Sequence, residues 1–214
     1  MPKIHAVEQR SEAWYKIRCG MPTASEFSKL ITSTGEPSKS ASGYALTLAG
    51  EMFAGKPLET WEGNAWTERG KELEAAALEL YAFTHDRKLT PVGFVTDDAG
   101  TTGCSPDSLV DDDGLIEIKA LKPERHIQAI LYFQKNGRCP TDYVQQTQGQ
   151  LLITGRKWCD RLFYSPDLPL LTIRQEPDLT LQMALLKGIS AVCKERDEVL
   201  AALRRHAGVT AASA

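Results

Sequence analysis

Residues 103–121, GCSPDSLVDDDGLIEIKAL, carry three side chains whose types and spacing suit phosphoryl transfer: Asp107, Glu117 and Lys119. Asp113-Gly114 is a hairpin turn signal between two apolar runs. In the strand that follows, a period of two places Leu115, Glu117 and Lys119 on one face and Ile116 and Ile118 on the other. A three-residue loop over 112–114 sets Asp111 opposite Leu115 and Asp107 across from Lys119. The two carboxylates and the lysine then share one face at the neck of the hairpin. Two carboxylates with few other ligands are what Mg²⁺ takes, because it keeps several waters and fills its shell from substrate phosphate. Such an ion polarises a phosphoryl oxygen and acidifies water. A neighbouring lysine can hold or deprotonate the attacking water, or neutralise charge in the transition state.

The surrounding acidic run has a plainer reading. Asp111, Asp112 and Asp113 suit a solvated turn. A calcium-binding EF-hand loop does not fit, since with Gly114 as its sixth residue the first and twelfth would be Leu109 and Ala120, neither of them a ligand.

Several elements must position this hairpin. Residues 1–10 read as a lead-in. Ser11 caps a short helix with Trp14, Ile17 and, near its end, Arg18. Thr23-x-x-Glu26 is a capping box, predicting a second helix from Ala24 through Leu30. Ser25 then lies in its first turn, beside N–H groups that favour anions, and Arg18 can fold over the same spot. A plain cap with a surface arginine and an anion pocket both remain open here. Residues 33–43 are polar and loop-like.

Helices are predicted over 44–55 and from Trp66 to Phe83. Glu68, Lys71, Glu72 and Glu79 form the polar side of the latter, whereas Glu74 points along Ala77, Leu78 and Tyr81. A carboxylate on an apolar strip is costly unless paired or metal-bound. A strand lies within 88–98, a helix over 122–135 and another over 143–154, capped by Asp142. On that helix Gln146 shares a face with Tyr143, Gln150 and Ile153, and such amides can bind water, phosphate or a neighbouring strand. Strands at 161–164 and 170–175 precede a last helix, 179–206. Its Leu185, Ile189, Val192, Val199 and Leu203 form a stripe for core or subunit packing. This order predicts an α/β fold with one mixed sheet flanked by helices.

The chain has 214 residues, enough for one domain over 1–206, and residues 207–214 read as a disordered tail. Its 42% hydrophobic and 25% charged content is that of a globular protein. There is no apolar run long enough for a bilayer and no export signal, so a cytoplasmic location and no membrane partner are expected. Five scattered cysteines without a C-x-x-C pair argue for a reducing compartment and against zinc. A net charge of −3 does not advertise nucleic-acid binding, which would have to come from local basic patches.

Pro106-Asp107 followed by Glu117-Ile118-Lys119 resembles the PD-(D/E)xK nuclease motif. More closely, the chain resembles the lambda exonuclease (viral recombinase) family of phage. The likeness rests on four ordered blocks over roughly residues 7–165: AWYKIRCGMPTASE, RGKELE, CSPDSL…LIEIKA and YVQQTQGQL. It implies a restriction-endonuclease-like core and a ring-shaped homotrimer threaded by DNA. The implied activity is Mg²⁺-dependent, or Mn²⁺-dependent, digestion of the 5′-terminated strand from double-stranded DNA ends. The 3′ single strand left behind would pass to a single-strand annealing protein. By the same resemblance Asp107, Glu117 and the Ile118 backbone carbonyl hold metal, and Glu74 serves a second ion directly or through water. Lys119 and Gln146 position the water, and Arg18, Ser25 and Ser105 hold the terminal 5′-phosphate. An endonuclease of the same fold, or a DNA-end-binding module without activity, are the alternatives.

Overall fold

The computed structural model describes residues 1–58 and 65–208. The expected tail beyond residue 208 and the side chains of Trp66, Glu68 and Lys71 lie outside the described residues.

The hairpin forms, with its loop one residue earlier than expected. Strand β5 (Ser108–Val110) pairs antiparallel with β6 (Gly114–Ala120), with Val110 opposite Gly114 and Ser108 opposite Ile116. Residues 111–113 are therefore the loop, and Asp111 does not face Leu115. Asp111 takes a left-handed φ of 46°, which aspartate tolerates better than most residues. Its carboxylate accepts from Arg87 Nη1 at 2.9 Å and from the Lys88 N–H at 3.1 Å. Gly114 is needed for packing instead of for the turn. A Cβ there would lie 2.2 Å from the Trp158 ring on the neighbouring strand.

The alternation along β6 is as expected. Leu115 joins a cluster with Phe27, Leu151 and Leu185, while Ile116 and Ile118 join Ala77, Tyr81 and Leu162 on the other face. Each fully buried aliphatic side chain contributes roughly 1.5–3 kcal/mol before ordering entropy is counted. The polar Glu117 sits among them at 4% exposure.

The main sheet has the order β2 (Leu89–Thr90), β5, β6, β7 (Trp158–Tyr164), β8 (Leu171–Gln175). Only β6 and β7 run parallel among its pairs, so the sheet is mixed. Parallel neighbours need a long crossover, here α4 (Pro123–Asn136) and α5 (Val144–Thr154). Helix α3 (Ala65–His85) covers the Ile116/Ile118 face. The opposite face carries α5, with α2 (Ala41–Ala54) and α6 (Leu179–His206) packed together beyond it. Leu185, Ile189 and Val192 of α6 are buried as expected, and Leu200 continues the stripe.

Three local expectations change. The segment 88–98 holds two strands, because Pro91 cannot donate to a ladder and interrupts the run. The second of them, β3 (Phe94–Thr96), forms a small separate sheet with β1 (Lys3–His5) and β4 (Gly103–Cys104). Residues 24–29 form a 3-10 helix, and Thr23 makes no side-chain cap bond. Glu26 pairs with Lys29 at 2.6 Å instead of reaching back. Phe27 is wholly buried from this turn, against Gly149 of α5, where a Cβ would come within 2.3 Å of its ring. Asp142 does not cap α5: a 3-10 turn, Thr141–Tyr143, precedes the helix, whose first flanking residue is Tyr143.

Candidate active site

Asp107 immediately precedes β5, and the corrected register brings it alongside Glu117 and Ile118, not across from Lys119. Its N–H donates to the Ile116 carbonyl at 3.1 Å, and its Oδ2 accepts the Ile118 N–H at 2.5 Å. A two-residue change in register preserves the face, so the acidic pair and the lysine still meet. Lys119 Nζ lies 3.1 Å from Glu117 Oε1. From α5, Gln146 donates to the same oxygen at 2.6 Å and Gln150 donates to Glu117 Oε2 at 2.5 Å. Both oxygens of Glu117 are thus fixed. Gln150 had no role assigned from sequence, although its spacing of four from Gln146 put both on one face.

Burial, and then the nearby charge of Glu117, push the Asp107 carboxyl well above the usual carboxylate range. The Ile118 N–H and Lys119 pull the other way. On α3, burial likewise raises Glu74, with Arg10 opposing and Glu117 adding to the rise. The Arg10 guanidinium lies 3.3 Å from Glu74 Oε2. Gln9 ties this lead-in to the site, donating to the carbonyls of Val92 at 2.8 Å and Pro106 at 3.0 Å. Neither residue carried a recognisable sequence signal. Beneath the corner, Arg161 stands beside Glu117 in the β6–β7 register and is wholly buried. It donates to Thr147 Oγ1 and, at 3.3 Å, to the Tyr143 carbonyl.

These groups form an oxygen-rich acidic corner in which a cation would relieve the carboxylates' mutual repulsion. Among the described residues, no three His, Cys, Asp or Glu side chains converge into a complete metal cage. The carboxylates that could hold an ion here are the Asp107–Glu117 pair. A strand residue directs its N–H and C=O to the same edge, so the Ile118 carbonyl projects on the Asp107 side. Few carboxylates plus a carbonyl and open positions for water suit a hard ion such as Mg²⁺ or Mn²⁺. Zinc would favour Cys or His, and burial raises the Cys104 and Cys159 thiols.

A second group lies two residues upstream. Trp14 Nε1 donates to Ser105 Oγ at 2.8 Å, and Arg18 stacks on the Trp14 ring with its Cζ 3.9 Å from the centroid. Arg18 Nη2 donates to Thr23 Oγ1 at 3.3 Å, and Thr23 Oγ1 lies 3.4 Å from Ser25 Oγ. Arg18, Ser25 and Ser105 are therefore brought into one chain of contacts through Trp14 and Thr23. Burial lowers the pKa of Arg18, while Tyr44 and Glu26 oppose that shift. The short 3-10 turn supplies little axial dipole, so any preference for an anion here comes from Arg18 and the hydroxyls.

Comparison with known proteins gives the lineage. Residues 13–157 match the model of the YqaJ-like viral recombinase domain. The chain belongs to this family. The matched span holds Glu74, Asp107, Glu117, Lys119, Gln146, Gln150 and the Arg18 group, and begins after Gln9 and Arg10. An alkaline exonuclease, LHK-Exo, from Laribacter hongkongensis is 32% identical, with a TM-score of 0.80 over 92% of this chain and 98% of that one. The same exonuclease in complex with dAMP superposes with a TM-score of 0.81 over 92% and 98% of the two chains, again at 32% identity. A phage-related exonuclease from Haemophilus somnus 129PT shares the fold at 17% identity, with a TM-score of 0.67 over 86% and 96%. No curated protein matches the chain significantly. Like these relatives, this YqaJ-like domain has a mixed α/β core, and no described helix is long and apolar enough to cross a membrane.

Proposed function

We propose that the protein is a metal-dependent exonuclease acting on double-stranded DNA ends, removing nucleotides from the 5′-terminated strand and leaving a 3′ single strand. The observation that carries the reading is the acidic corner of Asp107 and Glu117 with Lys119 and Gln146, two residues from the Arg18–Ser25–Ser105 group. Support also comes from the alkaline exonuclease likeness and from that relative's complex with dAMP, a single nucleotide.

In this reading Asp107, Glu117 and the Ile118 carbonyl hold Mg²⁺ or Mn²⁺, and Glu74 serves a second ion directly or through water. When bound, such ions neutralise phosphoryl charge and make water more acidic. Lys119 and Gln146 orient the attacking water, and the lysine offsets negative charge at the phosphorus. Gln150 fixes the second oxygen of Glu117. Arg18, Ser25 and Ser105 seat the 5′-phosphate. A homotrimeric ring and delivery of the 3′ strand to an annealing protein complete the proposal by family likeness.

The test is linear duplex labelled separately at each 5′ and 3′ end, incubated with Mg²⁺. Early release of the 5′ label, with closed circular duplex left intact, is expected. Early 3′ release reverses the polarity, and nicking of the circle makes the protein an endonuclease. Gln150→Leu should lower the cleavage rate at saturating DNA about 10–100-fold, the usual cost of losing a partner that orients a metal ligand. A wild-type rate would remove Gln150 from the site.

A further inference from the structure

Arg10 stands outside these roles. It lies between β1 and α1 (Glu12–Arg18) with a φ of 68°, a left-handed backbone that is unfavourable for a residue with a Cβ. Its flanks hold it there: Gln9 is bonded to the Val92 and Pro106 carbonyls, and Ser11 Oγ caps α1 by accepting the Trp14 N–H at 3.2 Å. The strained position delivers a guanidinium to Glu74, with the two side chains 38% and 31% exposed. Glu74 in turn feels the charges of Arg10, Glu117 and Lys119, and contributes to that of Asp107.

We infer that Arg10 is a tethered cation that occupies Glu74 until a divalent ion claims it, and so sets the affinity of the ion nearest Glu74. This rests on the metal-ion reading above. A guanidinium does not lose its proton in a protein, so it competes, through its 3.3 Å contact with Oε2, with any ion that draws on the Glu74 charge. A half-exposed pair is weak and exchanges readily, whereas a buried one would lock the carboxylate away. The arrangement keeps Glu74 compensated when no ion is present and still leaves it available.

The test is a titration of the full chain with Mn²⁺, without DNA, following the free ion by electron paramagnetic resonance. Arg10→Gly removes the competing charge and relieves the positive φ. Arg10→Gln removes the charge and keeps the strained backbone. Both should bind the weaker Mn²⁺ about three- to tenfold more tightly than wild type, the range expected from losing one partly screened charge pair. Only Arg10→Gly should also gain thermal stability. In a Glu74→Gln background the tightening should vanish. Unchanged or weaker Mn²⁺ binding in both Arg10 variants overturns the inference. If wild type binds Mn²⁺, and Glu117→Gln weakens it while the Arg10 variants do nothing, the Arg10 inference alone fails. If wild type binds no Mn²⁺, the metal reading fails and Arg10's role with it.

Discussion

Asp107→Asn is expected to yield a more stable protein that no longer cuts DNA. The carboxylate is held in a corner where burial and Glu117 both oppose its charge. An amide keeps an oxygen for the Ile118 N–H and discards the repulsion. Relief of this kind adds roughly 0.5–2 kcal/mol, at about 2–4 °C per kcal/mol for a domain of this size. The pH dependence follows from the sign of the shift. A carboxyl whose folded pKa is raised stabilises the fold while protonated, and that contribution is lost as pH rises through the folded pKa. The melting-temperature gap between the metal-free mutant and wild type should therefore widen from acid to neutral pH. Mg²⁺ should raise the melting temperature of wild type by binding the native state, and leave the mutant's nearly unchanged. Cleavage should fall about a thousandfold or more, since metal stabilisation of transition-state charge is worth several kcal/mol. A mutant less stable than wild type at neutral pH would show that Asp107 is not under repulsion. Retained cleavage would remove it from the metal site.

The second large effect concerns the DNA end. Duplex with a 5′-phosphate should be digested about ten- to a hundredfold faster than duplex with a 5′-hydroxyl, and Arg18→Ala should abolish most of that ratio. The basis is a charge-assisted contact worth roughly 1.5–3 kcal/mol. Because Arg18 also stacks on Trp14, its loss can loosen the Trp14–Ser105 bond, and thermal melting must accompany the kinetics. Arg18→Lys separates the effects. It keeps the charge but loses the planar two-pronged donor and part of the stacking, so an intermediate ratio is expected. Equal rates for the two ends in wild type, or a full preference in Arg18→Ala, would return Arg18 to a basic residue at the end of α1.

What the sequence made legible was periodicity. The face shared by Asp107, Glu117 and Lys119, and the Glu74 position beside Ala77 and Tyr81, follow from periods of two and 3.6. What was hidden depended on partners distant in sequence. Asp113-Gly114 looks like a turn because both types favour one, yet Gly114 answers to Trp158, 44 positions on. Thr23-x-x-Glu26 has the letters of a capping box, but the segment closes as a 3-10 helix with Phe27 seated against Gly149, and the Thr23 hydroxyl accepts from Arg18. The N-terminal edge strand was invisible because three residues carry no period. Arg10 was invisible because its partner, Glu74, lies 64 positions away and its backbone conformation is unusual for an arginine.

The seating of Phe27 against Gly149 reaches beyond packing. The turn bearing Ser25 and the helix bearing Gln146 and Gln150 interlock with no room for a methyl group between them. On the other side, Ser105 and Asp107 are joined by a single residue, so their Cα atoms stand no more than roughly 7 Å apart. Under the proposed function, with the terminal phosphate at Arg18, these two links would act as a short stiff ruler, because neither would allow the proposed place of holding to slide against the proposed place of cutting. A stiff ruler fixes the length of what is released. The product should be one nucleotide per cut, uniform from the first turnover to the last, and not a ladder of short oligonucleotides.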